Sequence, residues 1–99
     1  MQSAGMHLAG VIGAVCRYLK IDEKELASPT RRPKIASARA LVGYIATREL
    51  SITGSGVARR LNIERSAISR AVQRAANDPD LIEAAGTILR LLELETNQH

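Results

Sequence analysis

The stretch VARRLNIERSAISRAVQRA, residues 57–75, holds its apolar residues in a single register. Val57, Ala58 and Leu61 recur at helical steps, Ile68, Ala71 and Val72 do the same, and Ile63 stands between the two runs. Two short helices around a tight turn satisfy all of these positions at once. Asn62 takes the turn position where Gly is usual, because Asn is the residue best able to replace Gly in a left-handed backbone. Ala58 falls at the tightest crossing, where a larger side chain would push the helices apart. Such a pair needs apolar partners, and the rest of the chain has to supply them.

Helical periodicity accounts for the remainder. A first helix is predicted over residues 7–20, with Leu8, Val11, Ile12, Val15 and Leu19 on one face. Asp22, Glu23 and Glu25 open a short helix within 21–27, whose Ile21 and Leu26 point back to the core. Residues 28–34, SPTRRPK, hold two prolines and three bases and form a loop. A long central helix over 35–50 carries Ile35, Ala38, Leu41, Val42, Ile45, Ala46 and Leu50, and Gly43 marks a close helix crossing in it. The helix pair spans 54–77, capped at its start by Thr53 or Ser55. Asp78 as N-cap and Pro79 at the first helical position begin the last helix, 79–95. Leu81, Ile82, Ala85, Ile88, Leu89 and Leu92 share one face of it, and the tail that follows frays.

No alternating run of β-branched residues signals a strand. Two tyrosines are the only aromatic residues, so the core has to be built from Leu, Ile, Val and Ala. Tyr18 and Tyr44 are expected to pack their rings into it with the hydroxyls at its edge. The expected fold is all-α, one domain over residues 1–99, a compact bundle of about five to six helices.

The net charge is +4 at pH 7, and it is unevenly spread. Residues 31–76 carry ten bases against Glu49 and Glu64, whereas residues 77–99 carry five acids and one base, Arg90. A basic middle between a neutral start and an acidic end fits one polyanion-binding surface better than general solubility. Cys16 is the one cysteine, which excludes a disulfide framework and a multi-cysteine metal site and fits a reducing compartment. No apolar run approaches the roughly 20 residues that span a bilayer, and the opening MQSAGMHLAGVIGAV lacks the basic start of a signal peptide. A soluble intracellular protein with no metal and no cofactor is expected.

With Ile68, Ala71, Val72 and Ala75 facing inward, the second helix of the pair presents Arg65, Ser66, Ser69, Arg70, Gln73 and Arg74 on its other side. Arg and Gln pair bidentately with guanine and adenine edges in the major groove, and Ser donates or accepts. The N-terminal half of such a helix makes most base contacts. Base readout is therefore expected from Arg65, Ser66, Ser69, Arg70 and Gln73. Phosphate contacts are expected from Arg74 and, on the preceding helix, from Ser55, Arg59 and Arg60. A solvated basic face would need acidic neighbours, yet Glu64 is the one acid within about a helical turn of Arg60, Arg65 and Arg70. The pair thus reads as a helix-turn-helix whose partner is double-stranded DNA. The competing class is a protein-interaction bundle whose basic face meets an acidic partner, the last helix being able to pair with another copy. An enzyme is not expected, since no nucleophile–base pair or metal cluster assembles from this inventory.

From about Val11 to Ala76 the chain resembles the C-terminal DNA-binding domain of the bacterial chromosomal replication initiator, DnaA, which has a TrpR-like helical fold. The carrying stretches are VCRYLKIDEKELASPTRRPKIASARALVGYIATREL and the helix-turn-helix that follows. The resemblance implies a basic loop that reaches the minor groove or adjacent phosphates, here Arg31, Arg32 and Lys34, side chains that a narrow, negative groove attracts. It also implies a long helix opening with an arginine, Arg39, expected at the phosphates, and ending in an R-E-L triplet, here Arg48-Glu49-Leu50. The family carries an Asp-His-Thr triplet at the start of its recognition helix. This chain has Glu64-Arg65-Ser66 there, after a turn one residue shorter, and its stretch between Tyr44 and the R-E-L triplet is one residue longer. These departures imply a DNA site different from the initiator's own box. No phosphate-binding loop or ATPase module is present.

The pattern RELSITGSGVARRLNIERSAISRAV is similar, moreover, to the C-terminal segment of REP-associated single-tyrosine transposase-like proteins. Their nuclease part needs paired histidines for a metal and a nucleophilic tyrosine, whereas this chain has only His7 and His99, at opposite ends. This second resemblance implies the non-catalytic DNA-binding region of a transposase-like protein at the bacterial nucleoid. A replication-initiator paralogue and a small transcriptional regulator are the alternatives.

Overall fold

The computed structural model describes residues 7–96 and consists of six α-helices. They are α1 (Leu8–Leu19), α2 (Glu23–Leu26), α3 (Pro33–Tyr44), α4 (Gly54–Leu61), α5 (Arg65–Ala76) and α6 (Pro79–Thr96). Five residues of π-helix, Ile45–Glu49, continue α3. No strand occurs among the described residues. Of the tail ETNQH, expected to fray, Glu95 and Thr96 instead continue α6, and the other three residues lie outside the described ones.

Four of the helices, α1, α2, α4 and α6, start where a side chain accepts from a first-turn amide. His7 Nδ1 accepts from the Gly10 amide at 3.1 Å. Asp22 and Glu25 form a capping box, Asp22 accepting from the Lys24 amide at 2.9 Å and Glu25 from the Asp22 amide at 3.3 Å. Of the two candidates before α4, Thr53 is the cap, its hydroxyl accepting from the Gly56 amide at 3.0 Å. Asp78 accepts from the Asp80 amide at 3.0 Å, and Pro79 opens α6. Pro33 opens α3 in the same way, so this helix begins two residues before the predicted start and takes Lys34 out of the loop. A proline's fixed φ suits the first helical position, where its missing amide costs nothing.

Three helix ends share one device. Among the described residues, Lys20, Ser51 and Asn62 are the non-glycine residues with positive φ, at 59°, 57° and 59°. Each is followed by an isoleucine whose amide donates back to a helix carbonyl: Ile21 to Cys16 at 3.0 Å, Ile52 to Ala46 at 2.9 Å, and Ile63 to Ala58 at 3.0 Å. All three isoleucine side chains pack on the core. A left-handed residue reverses the chain, and the apolar residue after it ties the reversal down.

The core lies around α3, which touches every other helix and meets α5 most extensively. Val11, Ile12 and Val15 of α1, Ile35, Leu41 and Val42 of α3, Leu61 of α4, Ile68 of α5 and Ile88 and Leu92 of α6 are all buried. Burying such side chains contributes about 1.5–3 kcal/mol each, which is how a chain with no Phe or Trp sustains its fold. Gly43 permits the close crossing, because a Cβ there would lie 3.1 Å from Val72 Cγ2. The central helix differs from the expected continuous 35–50 in widening into the π turn, with Thr47 Oγ1 donating back to the Gly43 carbonyl at 2.7 Å. Two further expectations are corrected. Tyr18 is 42% exposed instead of buried, and Ile82 is 43% exposed at the flank of α6, while Tyr44 is half-buried.

Candidate nucleic-acid interface

Position in the helix pair follows from burial. Val57, Ala58 and Leu61 of α4 are sealed against the bundle, as are Ile68 and Ala75 of α5, with Ala71 and Val72 half-buried beside them. Asn62 adopts φ 59° and ψ 45°, the left-handed geometry that turns α4 into α5. With that face committed inward, Ser55, Arg59, Arg60, Arg65, Ser66, Ser69, Arg70, Gln73 and Arg74 are all exposed. Arg59, Arg60, Arg65 and Arg70 have no ion pair among the described residues. Four unneutralised guanidinium groups on one helix pair create a positive field that a solvated, acid-matched face would lack. Arg74 reaches across to Ser37 Oγ of α3 at 3.5 Å.

Glu64 is the N-cap residue of α5 by backbone geometry, but its carboxylate makes no capping hydrogen bond. The first amides of α5, with their partial positive charge, are therefore left without a side-chain cap.

Beside α5 runs a groove lined by Thr47, Arg48, Gly54, Arg65, Ser69 and Gln73. Arg48 brings a further exposed cation to this edge, its guanidinium stacked over the Tyr44 ring at 5.7 Å from the centroid. Sequence reasoning placed Arg48 in a motif without giving it a site. The π turn sets its direction, and a residue count along an ordinary helix misplaces it.

The loop between α2 and α3 divides the predicted basic residues by what they touch. Arg31 is exposed and has no partner among the described residues. Arg32 is exposed but forms an ion pair with Glu25 of α2. Lys34 stands exposed on the first turn of α3. Arg39 departs from expectation. Its side chain turns inward, where Nε donates to the Leu26 carbonyl at 3.0 Å and Nη1 to the Thr30 carbonyl at 2.9 Å. Nη2 donates to the carbonyls of Glu25 and Ser28. A guanidinium has five N–H donors, so four carbonyls leave it little to offer a phosphate. Burial also draws its pKa below the usual value. In the free chain Arg39 thus makes internal contacts in place of an outward one, because the loop wraps over the side chain.

Cys16 is buried in α1, and its thiol is pushed up from 9.0 to about 11, first by loss of water and then by Glu23 and Asp22. At neutral pH that thiol is protonated and a poor nucleophile. Among the described residues no group of three or more His, Cys, Asp and Glu could hold a metal ion, and no helix is long and apolar enough to cross a membrane.

A family model described as bacterial dnaA protein helix-turn-helix matches residues 8–75, from the start of α1 to the end of α5. The match spans the whole surface described above, the basic loop included. Neither curated proteins nor solved structures give a significant match.

Proposed function

Because this chain belongs to the bacterial DnaA helix-turn-helix family, we propose that it binds double-stranded DNA with α5 in the major groove and the basic loop at the minor groove or its flanking phosphates. The observation that carries the proposal is the exposed side of α5, where Arg65, Ser66, Ser69, Arg70 and Gln73 are presented without an acidic partner for either arginine. Those side chains match the donor and acceptor pattern of base edges. Arg59, Arg60 and Arg74 supply backbone contacts, and Arg31, Lys34 and Arg32 grip the neighbouring groove, Arg32 after parting from Glu25.

The target differs from the replication initiator's box, since Glu64-Arg65-Ser66 stands where that family has Asp-His-Thr. The similarity of residues 48–72 to REP-associated transposase-like proteins supports a role as the DNA-binding, non-catalytic region of such a protein, at the bacterial nucleoid. A replication-initiator paralogue or a small regulator would use the same surface on a different site.

Titration of random-sequence duplex at low and moderate salt tests the first step. Binding is expected to weaken with salt, log K falling by about 0.9 per neutralised phosphate for each tenfold rise. No measurable binding at low salt refutes the proposal. Selection of bound sequences from a random duplex pool tests the second step, and recovery of the initiator's own box would refute the altered specificity.

A further inference from the structure

The segment between α2 and α3 has no regular secondary structure, yet it is not loosely held. Its carbonyls converge on one side chain. Arg39, on the second turn of α3, donates hydrogen bonds to the carbonyls of Glu25 and Leu26 at the end of α2 and of Ser28 and Thr30 in the loop. Ser28 Oγ donates to the Glu25 carbonyl at 2.8 Å, and the Arg32 amide donates to Thr30 Oγ1 at 3.4 Å, so the curl is closed from within as well. Pro29 and Pro33 remove two further amides and two backbone torsions from the same stretch. Arg31, which this curl leaves exposed and without a partner among the described residues, follows directly after Thr30.

We propose that Arg39 is a positioning residue, a clamp that holds the basic loop in its DNA-binding shape and so presents Arg31, without itself touching DNA. This rests on the DNA-binding reading of the same surface. A planar fork of five donors can meet carbonyls arriving from four directions, whereas a lysine ammonium offers three donors from one point. Lysine keeps the charge and cannot reproduce the clamp. An unclamped loop has to be ordered each time DNA binds, and freeing one residue's backbone is roughly a tenfold loss of affinity.

The experiment compares wild type, R39K, R31A and R39K/R31A on a duplex from the selected pool, over a range of salt, below the melting temperature of every variant. R39K is expected to bind at least about tenfold more weakly and with a shallower salt slope. R31A is expected to cost much less in the R39K background than in wild type, because an unpositioned Arg31 has little left to lose. If R39K binds like wild type with an unchanged slope, the clamp is refuted and a charge at position 39 is enough. If the two losses multiply independently, Arg39 contacts DNA on its own account and the proposal also fails. A nuclear magnetic resonance measurement on the unbound wild-type chain needs no variant: the Arg39 Nε–H signal is expected to be resolved and slow to exchange, and a rapidly exchanging one overturns the clamp. A wild-type chain that binds no duplex refutes the functional reading instead, and the Arg39 signal still decides whether the loop is clamped.

Discussion

Replacing Gly43 by Ala sets two opposing effects against each other at the contact between α3 and α5. Alanine in place of glycine inside a helix gains about 1 kcal/mol. The added methyl would lie 3.1 Å from Val72 Cγ2, inside the roughly 3.5–4.0 Å of a relaxed carbon contact. Valine in a helix is held in one strongly preferred rotamer, so its methyl has nowhere to swing and the two helices have to part by a few tenths of an ångström. Overpacking of this kind costs about 1–3 kcal/mol, and G43A is expected to destabilise the chain by about 1 kcal/mol net. Val72→Ala removes the obstructing methyl. What remains near the new Cβ is Ile68, at 3.9 Å, which is ordinary contact. In the V72A background G43A should therefore stabilise, by about 1 kcal/mol. The two substitutions are thus coupled by about 2 kcal/mol, and the effect changes sign. Thermal unfolding followed by circular dichroism resolves this, since 1 kcal/mol moves the midpoint of a domain this size by about 4–8 °C. Stabilisation by the same amount in both backgrounds would refute the reasoning, because it would mean that Gly43 is not held by the crossing at all.

At the turn of the helix pair, Asn62→Gly should leave stability within a few tenths of a kcal/mol, while Asn62→Ala loses about 1–2 kcal/mol because its φ of 59° suits few side chains; equal melting of the two would show the turn to be unstrained. Arg65→Ala and Arg70→Ala should leave melting unchanged and relax preference at particular base pairs by about 1–3 kcal/mol. An equal loss on every sequence would reassign both to phosphate. Stability should fall as pH rises from 9.0 towards about 11. The folded chain holds the Cys16 proton in that window while the unfolded chain releases it, so unfolding is drawn forward. Cys16→Ala should flatten that alkaline limb, and an unaltered limb would place the titration elsewhere.

The helical class and the inward face of the helix pair were legible because aliphatic spacing is imposed by burial, and burial at Val57, Leu61 and Ile68 obeys it. Asn62 could be recognised as a turn because its residue type favours left-handed backbone. Lys20 and Ser51 adopt the same backbone without any such preference. What marks them is the isoleucine that follows each, a packing signal that only a fold can reveal. Arg39 shows a different limit. A sequence shows that a cation is present, whereas the direction of its side chain depends on where a loop sends its carbonyls. Tyr18 was misplaced because an aromatic ring is expected inside, yet near the end of α1 it lacks enough neighbours to cover it.

The π turn bears on how a chain of this kind tolerates change in length. An extra residue inside a buried helix rotates everything after it by about 100°, since each residue takes up one part in 3.6 of a turn. The resemblance to the initiator pattern implies one extra residue before the R-E-L triplet, and Ile45–Glu49 is wound wide. A wide turn of this sort takes up one residue locally. Ile45 and Ala46 remain buried, and Arg48 still emerges beside α5. The central helix can thus absorb an insertion without exchanging its inner face for its outer one, which makes this segment a place where such a chain can change in length while the exposed side of its helix pair keeps its bearing.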